Sequence, residues 1–205
     1  KSWPKNPEAI KNFSYKNLAE YSCRFGNALK SLGVKKGDAV FSLCPRIPEL
    51  YFSFLGTLRL GAVFSPLFSV FGPEPIASRM TKGHAVVLFS LASLYKKKIE
   101  PIQSSLTSLK HLILLDDDGS LKDIQKNVPN IIDFYKLINS ASPEQFLEKT
   151  KADDPALLHF TSGTTGKPKG AIHVHAAVVY HKITAQIALD LKKEDIFWCT
   201  ADPGW

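Results

Sequence analysis

Residues 161 to 170 read Thr-Ser-Gly-Thr-Thr-Gly-Lys-Pro-Lys-Gly, so four hydroxyls, three glycines and two lysines fall within ten residues between two apolar runs. Glycines let the backbone approach an anion and turn its N–H groups toward it, hydroxyls donate to phosphate oxygens, and lysines bring point charge. The composition is that of a grip for a polyphosphate. It is not the common P-loop, which needs four residues between its first glycine and a Gly-Lys pair followed by Ser or Thr. Here only Thr164 and Thr165 separate Gly163 from Gly166, and Pro168 follows Lys167. A flexible Gly/Ser/Thr linker is the alternative reading, against which two lysines and a proline weigh.

The elements that must position this loop alternate in type. Residues 14–32 carry Leu18, Phe25, Leu29 and Leu32 at helical spacing, with Ser14 placed to cap the start and Gly33 to end the helix. A strand is expected at 39–43, a helix from Pro48 to about Leu60, and a strand at 62–65. The pattern continues with a helix near 74–82, a strand at 85–89, a polar helix near 94–99 and a strand at 112–115. Strands alternating with helices in this way build parallel βαβ units. The polar stretch 116–155, with two short helical segments, reads as a surface excursion between two lobes. Beyond it come a strand at 156–160, the loop, a strand at 171–174, a helix at 176–189 and a last strand at 196–200. The expected fold is α/β, a parallel βαβ-built lobe in which the loop-bearing strands begin a second sheet.

A chain of 205 residues with 44% hydrophobic content is long enough to bury a sizeable core. Its formal net charge of +7 suits an anionic partner, yet the lysines are scattered and no basic run is interleaved with aromatics as a nucleic-acid groove requires. Cys23, Cys44 and Cys199 are odd in number and lie far apart, which suits reduced thiols in the cytoplasm. No apolar run reaches membrane-span length, so neither membrane nor nucleic acid is expected as a partner. The start at Lys1 and the stop after Pro203-Gly204 suggest an excerpt.

The loop T-S-G-T-T-G-K-P-K-G resembles the signature of the adenylate-forming superfamily of acyl-CoA synthetases, luciferases and peptide-synthetase adenylation domains. Residues 190–205, D-L-K-K-E-D-I-F-W-C-T-A-D-P-G-W, are similar to AMP-forming acetyl-CoA synthetases, particularly the short bacterial form, and Pro45-Arg46-Ile47-Pro48-Glu49-Leu50-Tyr51 agrees. The resemblance implies part of the large N-terminal domain, with the C-terminal domain absent. It also implies ATP-dependent ligation of acetate to CoA through acetyl-AMP, with ATP, Mg²⁺ and coenzyme A as cofactors and small molecules as partners. Thr161, Ser162, Gly163, Thr164, Thr165, Gly166, Lys167 and Lys169 would hold the ATP phosphates, with Lys169 the catalytic residue and Mg²⁺ bridging the phosphates. Lys96 and Lys98 lie where relatives place basic residues toward the 3′-phosphate of CoA. Trp205 falls where relatives carry an aromatic residue beside the acyl pocket and pantetheine tunnel. Further contacts of the family would follow Trp205, so residues 1–205 alone are not expected to turn over.

Each residue also has a plainer reading. Lys96, Lys97 and Lys98 make an ordinary solvated helix face, and Trp205 a core residue. Consecutive aspartates on a turn rarely converge on one ion, so Asp116, Asp117 and Asp118 read as a solvated loop. His173 and His175 face one way on a strand but lack the companion ligands of a zinc site, and read as packing or capping residues. Two rival functions remain: a ligase of the same superfamily for another acid, and a noncatalytic nucleotide-binding module.

Overall fold

The computed structural model describes residues 11–161 and 167–204. Ser14 caps helix α1 (Tyr15–Ser31), its hydroxyl accepting from the Asn17 amide while the Asn17 side chain accepts from the Ser14 amide, and Gly33 ends the helix at φ +79°. Strand β1 (Ala39–Leu43), helix α2 (Pro48–Arg59), strand β2 (Val63–Pro66), helix α3 (Pro73–Lys82) and strand β3 (Ala85–Leu91) follow the expected alternation. Pro48 and Pro73 open their helices, where a missing N–H costs nothing.

After β3 the expected polar helix is replaced by a short α4 (Ala92–Leu94), a π turn (Tyr95–Ile99) and a 3₁₀ turn (Glu100–Ser105). Then come β4 (His111–Leu115), α5 (Leu121–Asn127), β5 (Ile131–Asp133) and α6 (Phe134–Ser140). The stretch 116–155 is thus only partly a surface excursion. It adds a sheet strand, and Phe134 and Ile138 are fully buried. The chain closes with β6 (Pro155–Thr161), β7 (Lys169–Val174) and α7 (Ala177–Ile187).

One sheet runs β5-β4-β3-β1-β2-β6-β7, parallel except for the β6–β7 hairpin. The expected second sheet is therefore corrected: the loop-bearing strands extend the first one. They do so through one register pair, Phe64 with Leu157, beside the Ser65 hydroxyl that donates to the Leu158 carbonyl at 2.7 Å. Side chains alternate across the strands into two cores. Phe25, Val40, Phe64, Phe89 and Phe134 pack under α1, α2 and α6, whereas Phe41, Ile76, Met80, Leu88 and Tyr95 pack under α3, the π turn and α5.

The expected strand at 196–200 does not form. Those residues pair with neither β5 nor β7, Ile196, Phe197 and Trp198 are exposed, and the Thr200 carbonyl accepts from the Arg46 guanidinium. Apolar, β-prone residues make a strand only where a neighbour completes the ladder.

Candidate active site

The grip rests on a hairpin whose tip is pinned at both limbs. Thr161 and Lys169 are register partners across β6 and β7, so the loop leaves and returns at one rung. Behind Thr161, Phe160 packs 6.3 Å from Phe41, ring centroid to centroid, and Leu158 joins the same core, which anchors β6 against the α3 face. On the returning limb the Pro168 carbonyl accepts from the Lys82 ammonium at 2.8 Å. Thr161, Lys167 and Lys169 are exposed. Lys167, Pro168 and the α3 residues Glu74, Ser78, Thr81 and Lys82 enclose a cleft of about 500 Å³. Ser162, Gly163, Thr164, Thr165 and Gly166 lie outside the described residues, as does Trp205.

Solvent-facing hydroxyl and ammonium groups on the two limbs suit an anion. The limbs carry no carboxylate, and among the described residues no three His, Cys, Asp or Glu side chains gather as a metal site. The donor set fits phosphate oxygens and not a bare divalent cation. Lys82 was not evident from sequence as part of this neighbourhood; its only signal is a basic residue in the last helical turn before Gly83.

The second region lies at the N-terminal end of α3, roughly 15 Å from Lys82 along the ten-residue helix. Residues 67–71 leave β2, and their carbonyls are gathered by Lys98, whose ammonium donates to Ser69 O at 2.6 Å and Phe71 O at 2.8 Å. Burial holds the Lys98 amine below its ordinary pKa. Lys96 and Lys97 point to solvent. The π turn thus divides the lysine triplet, and of the two lysines expected near a CoA phosphate only Lys96 is exposed. The Phe71 ring covers the Arg79 guanidinium at 4.2 Å, and burial lowers the Arg79 pKa.

The turn at 202–204 sits on this loop. The Ser69 hydroxyl donates to Asp202 Oδ2 at 3.3 Å, and the Gly204 amide to Asp202 Oδ1 at 2.8 Å. A Cβ on Gly204 would stand 2.2 Å from the Leu67 carbonyl carbon and the Phe68 nitrogen, so no side chain fits there.

The aspartates behave as a loop. Asp117 accepts from the Ser93 hydroxyl and amide, Asp116 from the Gly119 amide, and Asp118 from the Ser120 amide. His173 packs edge-to-face on His159 at 6.0 Å, and burial, then the neighbouring His173, lowers the His159 pKa. Among the described residues the His175 side chain caps no helix. Its backbone amide donates to Asp154 O, and its Nε2 is buried without a partner among the described residues.

The chain matches the family of AMP-binding enzymes over residues 3–205. An acetyl-coenzyme A synthetase of Bacillus subtilis (strain 168) is 37% identical over 202 residues, 98% of this chain and 34% of that protein. An acetyl-coenzyme A synthetase of Escherichia coli (strain K12) is 35% identical over 206 residues, 95% of this chain and 31% of that protein. The chain thus spans about a third of the length of these relatives. The structure of an acyl-CoA synthetase from Brucella canis superposes with a TM-score of 0.83 at 30% identity, over 96% of this chain and 34% of that one. An anthranilate CoA ligase in complex with anthranoyl-AMP superposes with a TM-score of 0.75 at 26% identity, over 88% and 32%.

Proposed function

The chain belongs to the AMP-binding enzyme family, and on that premise we propose that it supplies the phosphate-gripping part of the N-terminal domain of a longer enzyme that ligates acetate to CoA. The observation that carries this is the loop 161–170 held between Thr161 and Lys169, in a chain that matches acetyl-coenzyme A synthetases almost end to end.

In the first step a carboxylate oxygen attacks the α-phosphorus of ATP. The bond from that phosphorus to the oxygen bridging toward the β-phosphorus breaks, and pyrophosphate leaves with the electron pair. In the second, the CoA sulfur, giving up its proton, attacks the acyl carbon and AMP departs.

An anion must approach an anion in the first step. Two unit charges at 4 Å repel by about 4 kcal/mol at an effective dielectric near 20, so positive charge at the triphosphate is required. Lys169 and Lys167, on the returning limb, supply it, and Thr161 donates from the other limb. Lys169 sits in β7 opposite Thr161, so its ammonium is offered from a backbone already fixed by a ladder, which favours stabilisation of charge as it moves onto pyrophosphate. Lys82 secures Pro168, between the two loop lysines. Mg²⁺ would arrive with the nucleotide and offset phosphate charge. Of the two lysines expected at the CoA phosphate, Lys96 is the exposed one. Among the described residues no helix is long and apolar enough to cross a membrane, and the proposed partners are acetate, ATP and CoA, in the cytoplasm.

The full-length protein is expected to exchange labelled pyrophosphate into ATP in an acetate-dependent way. Faster exchange with octanoate or benzoate would move the assignment to another acyl-CoA or aryl-CoA ligase, a reading to which the likeness to the anthranilate ligase lends support. Exchange with no acid would leave a noncatalytic nucleotide-binding module.

A further inference from the structure

We infer that Lys36 is a positioning residue for the phosphate grip, splinting the base of the β6–β7 hairpin to β1 and β2 at the end of the sheet opposite the loop; its bearing on ATP rests on the ligase reading above. β6 joins β2 through a single register pair, Phe64 with Leu157. A strand so thinly laddered depends on side chains for its seat. The Ser65 hydroxyl supplies one bond midway, to Leu158 O. Lys36 supplies the bonds where β6 begins.

Lys36 links the leading ends of three strands. It lies in the turn at 35–38 that enters β1, which the Asp38 carboxylate closes by accepting from the Lys35 amide at 2.8 Å. The next residue, Gly37 at φ +86°, donates to Gly61 O at 2.9 Å and ties this turn to the one that enters β2. The Lys36 stem then passes over Gly61. A Cβ on Gly61 would stand 3.1 Å from Lys36 Cγ and 3.1 Å from Thr150 Cγ2, so the glycine leaves the room that the stem uses. Beyond it the ammonium donates to Lys149 O at 2.8 Å and pairs with Asp154 Oδ2 at 2.7 Å.

Asp154 gathers both limbs of the hairpin. Its carboxylate also accepts from the Lys151 amide at 2.7 Å, closing the turn at 151–154 just before β6. Its carbonyl accepts from the His175 amide at 3.0 Å, and Ala152 O from the Ala176 amide at 3.0 Å, just past the end of β7. One ammonium thus holds the strand that leads to Thr161 and, through Asp154, the strand that returns from Lys169. The seven residues of β6 span roughly 20 Å. Over that length a paired ladder carries a shift of the base to the rung where Thr161 faces Lys169. Leu158 and Phe160 resist from the α3 side, and the ion pair is partly exposed, at 41% and 24% of its side chains, so its loss should loosen the grip a few-fold rather than abolish it.

The test uses the full-length protein. Amide hydrogen exchange read by mass spectrometry reports the hairpin whether or not the ligase reading is right. Pyrophosphate exchange, with whichever acid the wild type activates, reports the grip. Lys36→Met keeps the stem and removes the ammonium, while Asp154→Asn removes the charge and keeps an acceptor for the Lys151 amide. Each is expected to speed hydrogen exchange in β6 and β7 about threefold and to raise the KM for ATP about threefold, with the KM for the acid unchanged, the size that a partly exposed ion pair supports. The double variant should go no further than the stronger single one, because both remove the same link. Lys36→Arg should restore the wild-type values. Lys126→Met, which breaks the exposed pair with Asp123 on α5, is the control and should leave the hairpin as it is. Unchanged hairpin exchange in Lys36→Met, equal loosening by Lys126→Met, or effects that add in the double variant would each overturn the splint. A loosened hairpin with the ATP KM unmoved would overturn the positioning role. If the wild type exchanges pyrophosphate with no acid, the ligase reading falls and the role toward ATP with it, while hydrogen exchange still decides the splint.

Discussion

Replacing Gly56 by alanine should destabilise the protein, although alanine is the better helix former. Gly56 of α2 faces Gly26 of α1 where the two helices cross. A Cβ on Gly56 would lie 2.7 Å from Ser22 O, 2.9 Å from the Gly26 nitrogen and 3.0 Å from the Phe25 Cβ. Carbon–carbon contacts are optimal at about 3.5–4.0 Å, so relief requires the helices to part by roughly 0.5–1 Å. The obstacles are backbone atoms and a Cβ, none of which can swing aside. Parting the helices also opens the Tyr21–Phe52 stack, at 4.6 Å between ring centroids. Overpacking costs about 1–3 kcal/mol, and a contact with backbone belongs at the upper end. The propensity gain of alanine over glycine returns about 1 kcal/mol. A net loss of about 2 kcal/mol is expected, read from urea unfolding of the full-length protein by circular dichroism. Gly72→Ala is the comparator: φ is −77° and nothing lies within 4 Å of the added carbon, so no clash arises and the expected loss is only that of placing alanine at the N-cap of α3, about 0.5–1 kcal/mol. If Gly56→Ala matched or exceeded wild-type stability, the close crossing would not be the constraint argued here.

Lys169→Ala is expected to slow single-turnover formation of acetyl-AMP by about 10–1000-fold while sparing thioester formation from synthetic acetyl-AMP and CoA; equal damage to both would make Lys169 a structural residue. The Asp154 carboxyl, bonded by Lys36 at 2.7 Å and by the Lys151 amide, is held below its ordinary 3.8. Its contribution to stability is present above 3.8 and is lost as pH falls through the lower folded value, so carbon-13 NMR should find its midpoint below 3.8 and shifted upward in Lys36→Met. Burial, the dominant cause, pushes the Cys44 thiol up to about 12, so iodoacetamide at pH 8 should leave Cys44 unmodified in folded protein, as mass spectrometry of the peptides would show.

The parallel lobe was largely legible because its signals are local: Ser14 and Gly33 bound α1, Pro48 and Pro73 open α2 and α3, and the apolar run from Ala85 has strand length. The hydrophobic run at 196–200 has the composition of a strand, but pairing depends on a neighbour, which composition does not encode. Ile131–Asp133 erred in the opposite direction, three residues too short to stand out, recruited to the sheet by β4. At the site, residue types along 161–170 pointed to a polyphosphate, the ligand class proposed above. Long-range partners were hidden because they come from afar: Lys82, which braces the loop, is 86 positions from Pro168, and Ser69, in the second region, is 133 from Asp202. The split within Lys96, Lys97 and Lys98 depends on a π turn, whose period no apolar pattern announces.

The joint between β2 and β6 is the thinnest ladder in the described sheet. β1 holds β2 through four register pairs and β3 holds β4 through five, whereas β6 meets β2 at one. Segments with few shared bonds open at lower free energy than the ladders beside them. The hairpin is accordingly an arm on a pivot near Phe64 and Leu157, with Lys82 as a tether at its far end. Leu158 and Phe160, packed in the α3-side core, hold it as well, and because Thr161 and Lys169 are register partners any tilt at that joint would carry both and keep their spacing. If the hairpin grips phosphates as proposed, a triphosphate and the pyrophosphate that leaves it differ in length and position, and a paired set of limbs on a thin joint would follow that displacement without being rebuilt.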